Sequence, residues 1–162
     1  MDEYNLNHEE DTDEKPVVNR SNRPEDFTFI YEYSEGSVAP QPYYEYTIEV
    51  TRDGSGEIRY LPDFPQNNPE ELVELFQVSS AEMDRLYLVM KHAGLLHPTW
   101  QPSRTGRLGG PKTRLQVIAG GRVFDFRYAL DLNDADGLER LYDLIRANVP
   151  ERIWEKIGQL KA

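Results

Sequence analysis

Gly106-Arg107-Leu108-Gly109-Gly110-Pro111-Lys112-Thr113 is the segment whose residue types come nearest to a known chemistry, the cradling of a phosphate. A phosphate-binding loop needs glycine five places after the first glycine, then Lys and Ser or Thr. Backbone N–H groups and the ammonium then converge on the phosphate oxygens. Here Pro111 stands at the glycine position and has no N–H to donate. The segment also leads into a strand-like run, whereas a phosphate loop leaves a strand and opens a helix. Nucleotide hydrolysis is therefore not expected. What survives is a group of cations, Arg104, Arg107, Lys112 and Arg114, in a Gly- and Pro-rich loop spanning 97–114. Such a group can receive a carboxylate or a phosphate. The competing account is a solvated basic loop that balances acid elsewhere. Trp100, in His97-Pro98-Thr99-Trp100, completes the candidate binding set as an aromatic anchor. Its competing reading, the preferred one, is a cover for the end of the preceding helix.

Other constellations fall short. Asp131-Leu132-Asn133-Asp134-Ala135-Asp136-Gly137 resembles a calcium loop, but aligning on Gly137 puts Leu132 at the first ligand position and Asp143 where a bidentate Glu is needed. The same acids serve as the charged start of a helix. His92 and His97 are five apart, not at the four-residue spacing that puts two ligands on one helix face. The absence of cysteine excludes disulfides, thiolate metal sites and a Cys nucleophile. There is no Gly-x-Ser-x-Gly elbow. No catalytic residue, metal site or cofactor is assigned.

Charge narrows the partners. The chain carries −11 over 162 residues, but residues 91–130 hold seven bases and one acid, Asp125, for +6. Residues 1–26 carry −6 and residues 27–90 carry −9. Acid in this excess repels nucleic acid and anionic membranes at long range. A protein partner or a small anion is the expectation that remains. The N-terminal residues are acidic, with no apolar core of a secretory signal, and no apolar run is long enough to span a bilayer. A soluble, cytoplasmic protein is expected.

The elements that must position these residues follow from periodicity. Residues 1–25 are polar and acidic and read as a disordered tail, leaving 26–162 as one domain. Phe27, Phe29, Tyr31 and Tyr33 alternate with polar neighbours, as do Tyr44, Tyr46, Ile48 and Val50. Asp53-Gly54-Ser55-Gly56 turns the second run back so that Ile58 and Tyr60 share its inner face. Pro69-Glu70-Glu71 looks like a helix start, so a helical turn followed by a short extended piece is expected over 69–78. Ser79 to Glu82 is a capping box for a helix burying Met83, Leu86, Tyr87 and Met90, with Gly94 just past its end. Leu115, Val117 and Ala119, then Gly120-Gly121, then Phe124, Phe126, Tyr128 and Leu130 form a second hairpin. Asp136 opens a second helix burying Leu138, Leu141, Tyr142 and Ile145. Pro150 separates it from a third helix with Ile153, Ile157 and Leu160 inward.

The two longer helices echo each other 55 residues apart: Met83-Asp84-Arg85-Leu86-Tyr87 against Leu138-Glu139-Arg140-Leu141-Tyr142. The echo is either a duplication of a ββα unit or a shared amphipathic spacing. Both give the same class: α+β, a two-layer sandwich in which an antiparallel sheet of five or six strands carries helices on one face. The expected role is a non-enzymatic binding or protein-interaction module. The alternative is a small-anion-binding enzyme or sensor that uses loop 97–114.

Overall fold

A computed structural model describes residues 22–35, 42–97, 111–127 and 135–161. Six strands form one antiparallel sheet: β1 (Thr28–Ser34), β2 (Glu45–Val50), β3 (Ser55–Leu61), β4 (Leu72–Gln77), β5 (Lys112–Ala119) and β6 (Arg122–Arg127). Their spatial order is β4-β3-β2-β1-β5-β6. Three helices, α1 (Ser80–His92), α2 (Ala135–Ala147) and α3 (Glu151–Lys161), supply the other layer. The class is thus the expected α+β, with six strands. None of the described helices is long and apolar enough to cross a membrane.

β1 sits inside the sheet because both of its edges are used. It pairs with β2 on one side, Tyr31 opposite Ile48, and with β5 on the other, Tyr31 opposite Leu115. The alternation read from sequence fixes the faces. Phe29, Tyr31, Ile48, Ile58, Tyr60, Leu115 and Val117 are all essentially inaccessible. They meet Met83, Leu86 and Met90 of α1, Leu141 and Ile145 of α2, and Ile153 and Ile157 of α3 in one core. Burial of a side chain of this size is worth about 1.5–3 kcal/mol, so the core dominates the fold.

The caps behave as their residue types require. Ser79 Oγ accepts the Glu82 N–H at 3.2 Å and starts α1. The Gly120-Gly121 turn joins β5 to β6 with both residues at positive φ, +61° and +73°. Its two N–H groups donate to the carboxylate of Asp26, each at 2.7 Å, tying the turn to the residues ahead of β1. Residues 22–25 are also engaged. Arg23 donates to the Ser80 carbonyl at 3.1 Å and lies 3.4 Å from Asp84.

One segment differs from expectation. Leu72–Gln77 is a full strand, and the only helical turn between β3 and α1 is the short one at Pro65–Asn67. β3 offers a free edge, and six consecutive pairs from Ser55↔Gln77 to Tyr60↔Leu72 satisfy one side of the backbone of 72–77. That non-local gain overrides the mild helix preference of Leu and Glu. The extra strand also breaks the symmetry of two ββα units. The first helix follows a three-strand run, β2-β3-β4, and the second follows the β5-β6 hairpin. The helices themselves correspond. Leu86 and Leu141 are both fully buried, Tyr87 packs on Phe27, and Tyr142 packs on Tyr31 of the same strand region.

Candidate functional site

Alternate residues of all six strands point away from the helices, and among the described residues no second layer covers them. The cross-strand register sets this uncovered face. One row reads Val73, Arg59, Thr47, Glu32, Arg114 from β4 to β5. The next reads Leu75, Glu57, Glu49, Ile30, Gln116, Asp125. A third brings Thr28, Ile118 and Val123 together at the far end. Acids prevail in the middle and large apolar side chains lie toward both edges. Leu75 is 67% exposed, Val123 63%, Val73 47% and Ile118 37%.

The sequence candidates divide. Lys112 and Arg114 are two apart on β5 and therefore share this face. They border a cleft of about 330 Å³ with Glu32, Ser34, Glu45 and Thr47. Trp100, Arg104 and Arg107 lie outside the described residues, as do His8, Tyr128, Leu130 and the calcium-like stretch 131–134. Arg114 is not an open anion receptor. Its guanidinium grips both oxygens of Asp125, at 3.1 and 3.2 Å, and sits 3.7 Å from Glu32. The other acids of the cleft also have neighbours. Tyr43 stacks on Phe64 with centroids 4.0 Å apart, and its hydroxyl donates to Glu45. Burial, then the bond to Glu45, pushes the Tyr43 phenol up to about 12, so it remains a donor at neutral pH. The cleft thus mixes the charges of Glu32, Glu45, Lys112 and Arg114 with the hydroxyls of Ser34 and Thr47.

On the covered face, Tyr31, Tyr33, Tyr44, Tyr46 and Tyr60 gather under α2 and α3, and Tyr33 and Tyr46 also contribute to the lining of the cleft. Tyr33 stacks on Tyr46 at 5.2 Å, and Trp154 meets Tyr46 edge-on at 5.3 Å. Arg146 enters the cluster, donating to the Tyr31 hydroxyl at 3.2 Å and to Asp143. Burial works against its charge, but the Tyr31 and Tyr46 oxygens and Asp143 more than restore it. Burial pushes the Tyr31 phenol well above its ordinary range. Arg146 carries no signal in the sequence beyond its place in the echo, where its counterpart is the exposed Lys91. Only a planar fork with several donors can meet phenols and a carboxylate at once. Among the described residues no buried side-chain nitrogen or oxygen lacks a partner, and no three His, Cys, Asp or Glu converge as a metal site. The fully buried polar atoms of the tyrosine cluster are thus satisfied within the core.

Sequence reasoning missed a feature of the uncovered face. Glu49 and Glu57 are directly opposite across β2 and β3. Like charges in that position destabilise a sheet. Arg59 relieves part of it by pairing with Glu57 and, at 3.7 Å, with Glu71. The alternation showed that both acids face outward, but only the register puts them side by side. No protein-family model matches this sequence, and comparison with curated proteins gives no match.

Proposed function

We propose that the protein is a non-enzymatic interaction module that meets a protein partner through the uncovered face of its sheet. The observation that carries this reading is the opposed Glu49–Glu57 pair in the middle of that face. It costs stability where a Lys or Thr at either position would not, and exposed apolar residues flank it on both sides. A basic surface with apolar margins on the partner would be complementary to it. Such an arrangement favours a protein over nucleic acid, whose phosphates the acids repel.

Site-specific photo-crosslinking in cells of the native host tests the proposal. A photoreactive side chain at Thr47, on the uncovered face, should give a discrete protein adduct. The same group at Arg140, exposed on the helix layer, should not. Adducts from both positions alike, or from neither, would contradict it. The small-anion alternative would instead show as thermal stabilisation by pyrophosphate. A ligand at 100 times its dissociation constant adds about 2.7 kcal/mol.

A further inference from the structure

The edge of the sheet at β4 has its own chemistry, distinct from the face. β4 pairs with β3 along one side, and among the described residues no strand pairs with the other. An open edge presents unpaired N–H and C=O groups, and proteins usually blunt it with Pro, Lys, a bulge or an inward charge. Leu72–Gln77 contains no Pro and no Lys, and its six pairs to β3 run without a bulge. Its one inward charge is Glu74, and α3 already matches it. Lys156 Nζ lies 2.6 Å from Glu74 Oε1 and Arg152 lies 3.9 Å from Oε2. Leu160, one turn beyond Lys156 on the same stripe of α3, is exposed. By contrast β6, the opposite edge, carries Arg122, Asp125 and Arg127 in six residues.

From this we infer that β4 pairs with β4 of a second copy of the chain, antiparallel, about a two-fold axis at Glu74. The sequence of the strand is self-complementary in that register. Val73 falls opposite the second copy's Leu75 on the uncovered face, and Leu72 falls opposite Phe76 on the covered face. Glu71 falls opposite Gln77, so no like charges oppose there. Glu74 meets its own copy at the axis, but each carboxylate brings Lys156 and Arg152 with it, so four cations surround two acids. Shifting the register by two residues in either direction puts Glu74 opposite Leu72 or Phe76 and loses the match. A C2 contact of this kind is closed, so it gives a dimer with one continuous sheet of doubled width and no fibre. The contact is short, so the dimer is concentration-dependent. The inference does not rest on the proposed partner, because it concerns the edge and a different readout.

Sedimentation velocity on the full chain, from low to high micromolar concentration, tests the association. A monomer–dimer equilibrium is expected. Val73→Lys/Leu75→Lys should shift it to monomer with unchanged circular dichroism, since both side chains are exposed. Val123→Lys, at the opposite edge, should leave it intact. The register is tested separately. The chain has no cysteine, so introduced ones are unambiguous. Opposed residues in an antiparallel pair lie about 4.5–5.5 Å apart at Cα, inside the range a disulfide spans. A mixture of the Val73→Cys and Leu75→Cys proteins should therefore oxidise to a mixed dimer faster than either protein alone. A monomer at every concentration would overturn the inference. So would a dimer that the double Lys variant retains, or equal oxidation of the mixture and the single variants.

Discussion

The two faces of the sheet are made by alternate residues of the same strands, yet they answer to different rules. On β1, Phe29 and Tyr31 lie under helices while Ile30 and Glu32 point the other way. On β2, Ile48 and Val50 are buried while Glu49 between them is exposed. The covered face is packed against the helices. Its apolar residues share one core, and its polar intruders, Arg146 and the tyrosines, have partners. The uncovered face is not optimised in this way. It opposes two glutamates across neighbouring strands and leaves Leu75 and Val123 in solvent. A face tuned only for stability would avoid both, which is why we propose it as the partner-facing side.

The comparison breaks most readily on the covered side. Leu86→Ala or Leu141→Ala should each destabilise the protein by about 2–5 kcal/mol, measured by urea denaturation, because both are fully buried. Similar costs at the two positions would sharpen the correspondence of α1 and α2. A cost near zero at either would mean that the covered face is not the core.

A smaller loss is expected at Gly56. Phe76 lies across it in the register, and a Cβ there would fall 2.4 Å from the Phe76 ring. Gly56→Ala should cost about 1–3 kcal/mol by overpacking. Combining it with Phe76→Leu should recover part of that loss, which thermal denaturation of the double variant can show.

Smaller again is the effect of the carboxylates that brace the turns. The N–H groups of Gly121 and Gly120 hold the Asp26 carboxyl below its ordinary value. Thr51 and Ser55 likewise hold Asp53, down to about 2. A depressed folded-state pKa stabilises fully above the unfolded value and is lost as pH falls through the folded one. Asp26→Asn should therefore lower the melting temperature at neutral pH. The gap to wild type should close as pH drops below the ordinary aspartate range. A gap that persists in strong acid would show that the charge is not what binds the turn.

Alternation made β1, β2, β3, β5 and β6 readable from sequence, and the three-and-four spacing did the same for the helices, except that Leu160, expected inward on α3, is half exposed near the end of that helix. β4 was not readable, because Leu, Glu and Val after a Pro-Glu-Glu start satisfy a helix as well as a strand. Its state is decided by the free edge of β3, a long-range fact. The site is legible to the same depth. Lys112 and Arg114 stand out as cations on one strand. That Arg114 is occupied depends on Glu32, brought beside it only by the pairing of β1 with β5, and on Asp125 across the hairpin. The acid pair Glu49–Glu57 and the edge formed by Val73 and Leu75 are likewise products of register.

The smallest stability effect carries the most information. Glu49→Lys replaces a like-charge cross-strand pair with an opposite-charge one and should raise stability by about 0.2–1 kcal/mol. Measured together on that one variant, the melting temperature and the Thr47 photo-adduct test directly whether the uncovered face exists for a partner. The account predicts a melting temperature equal to or above wild type and loss of the adduct. A lower melting temperature with the adduct unchanged would contradict it, because the acids would then serve the fold and not the partner.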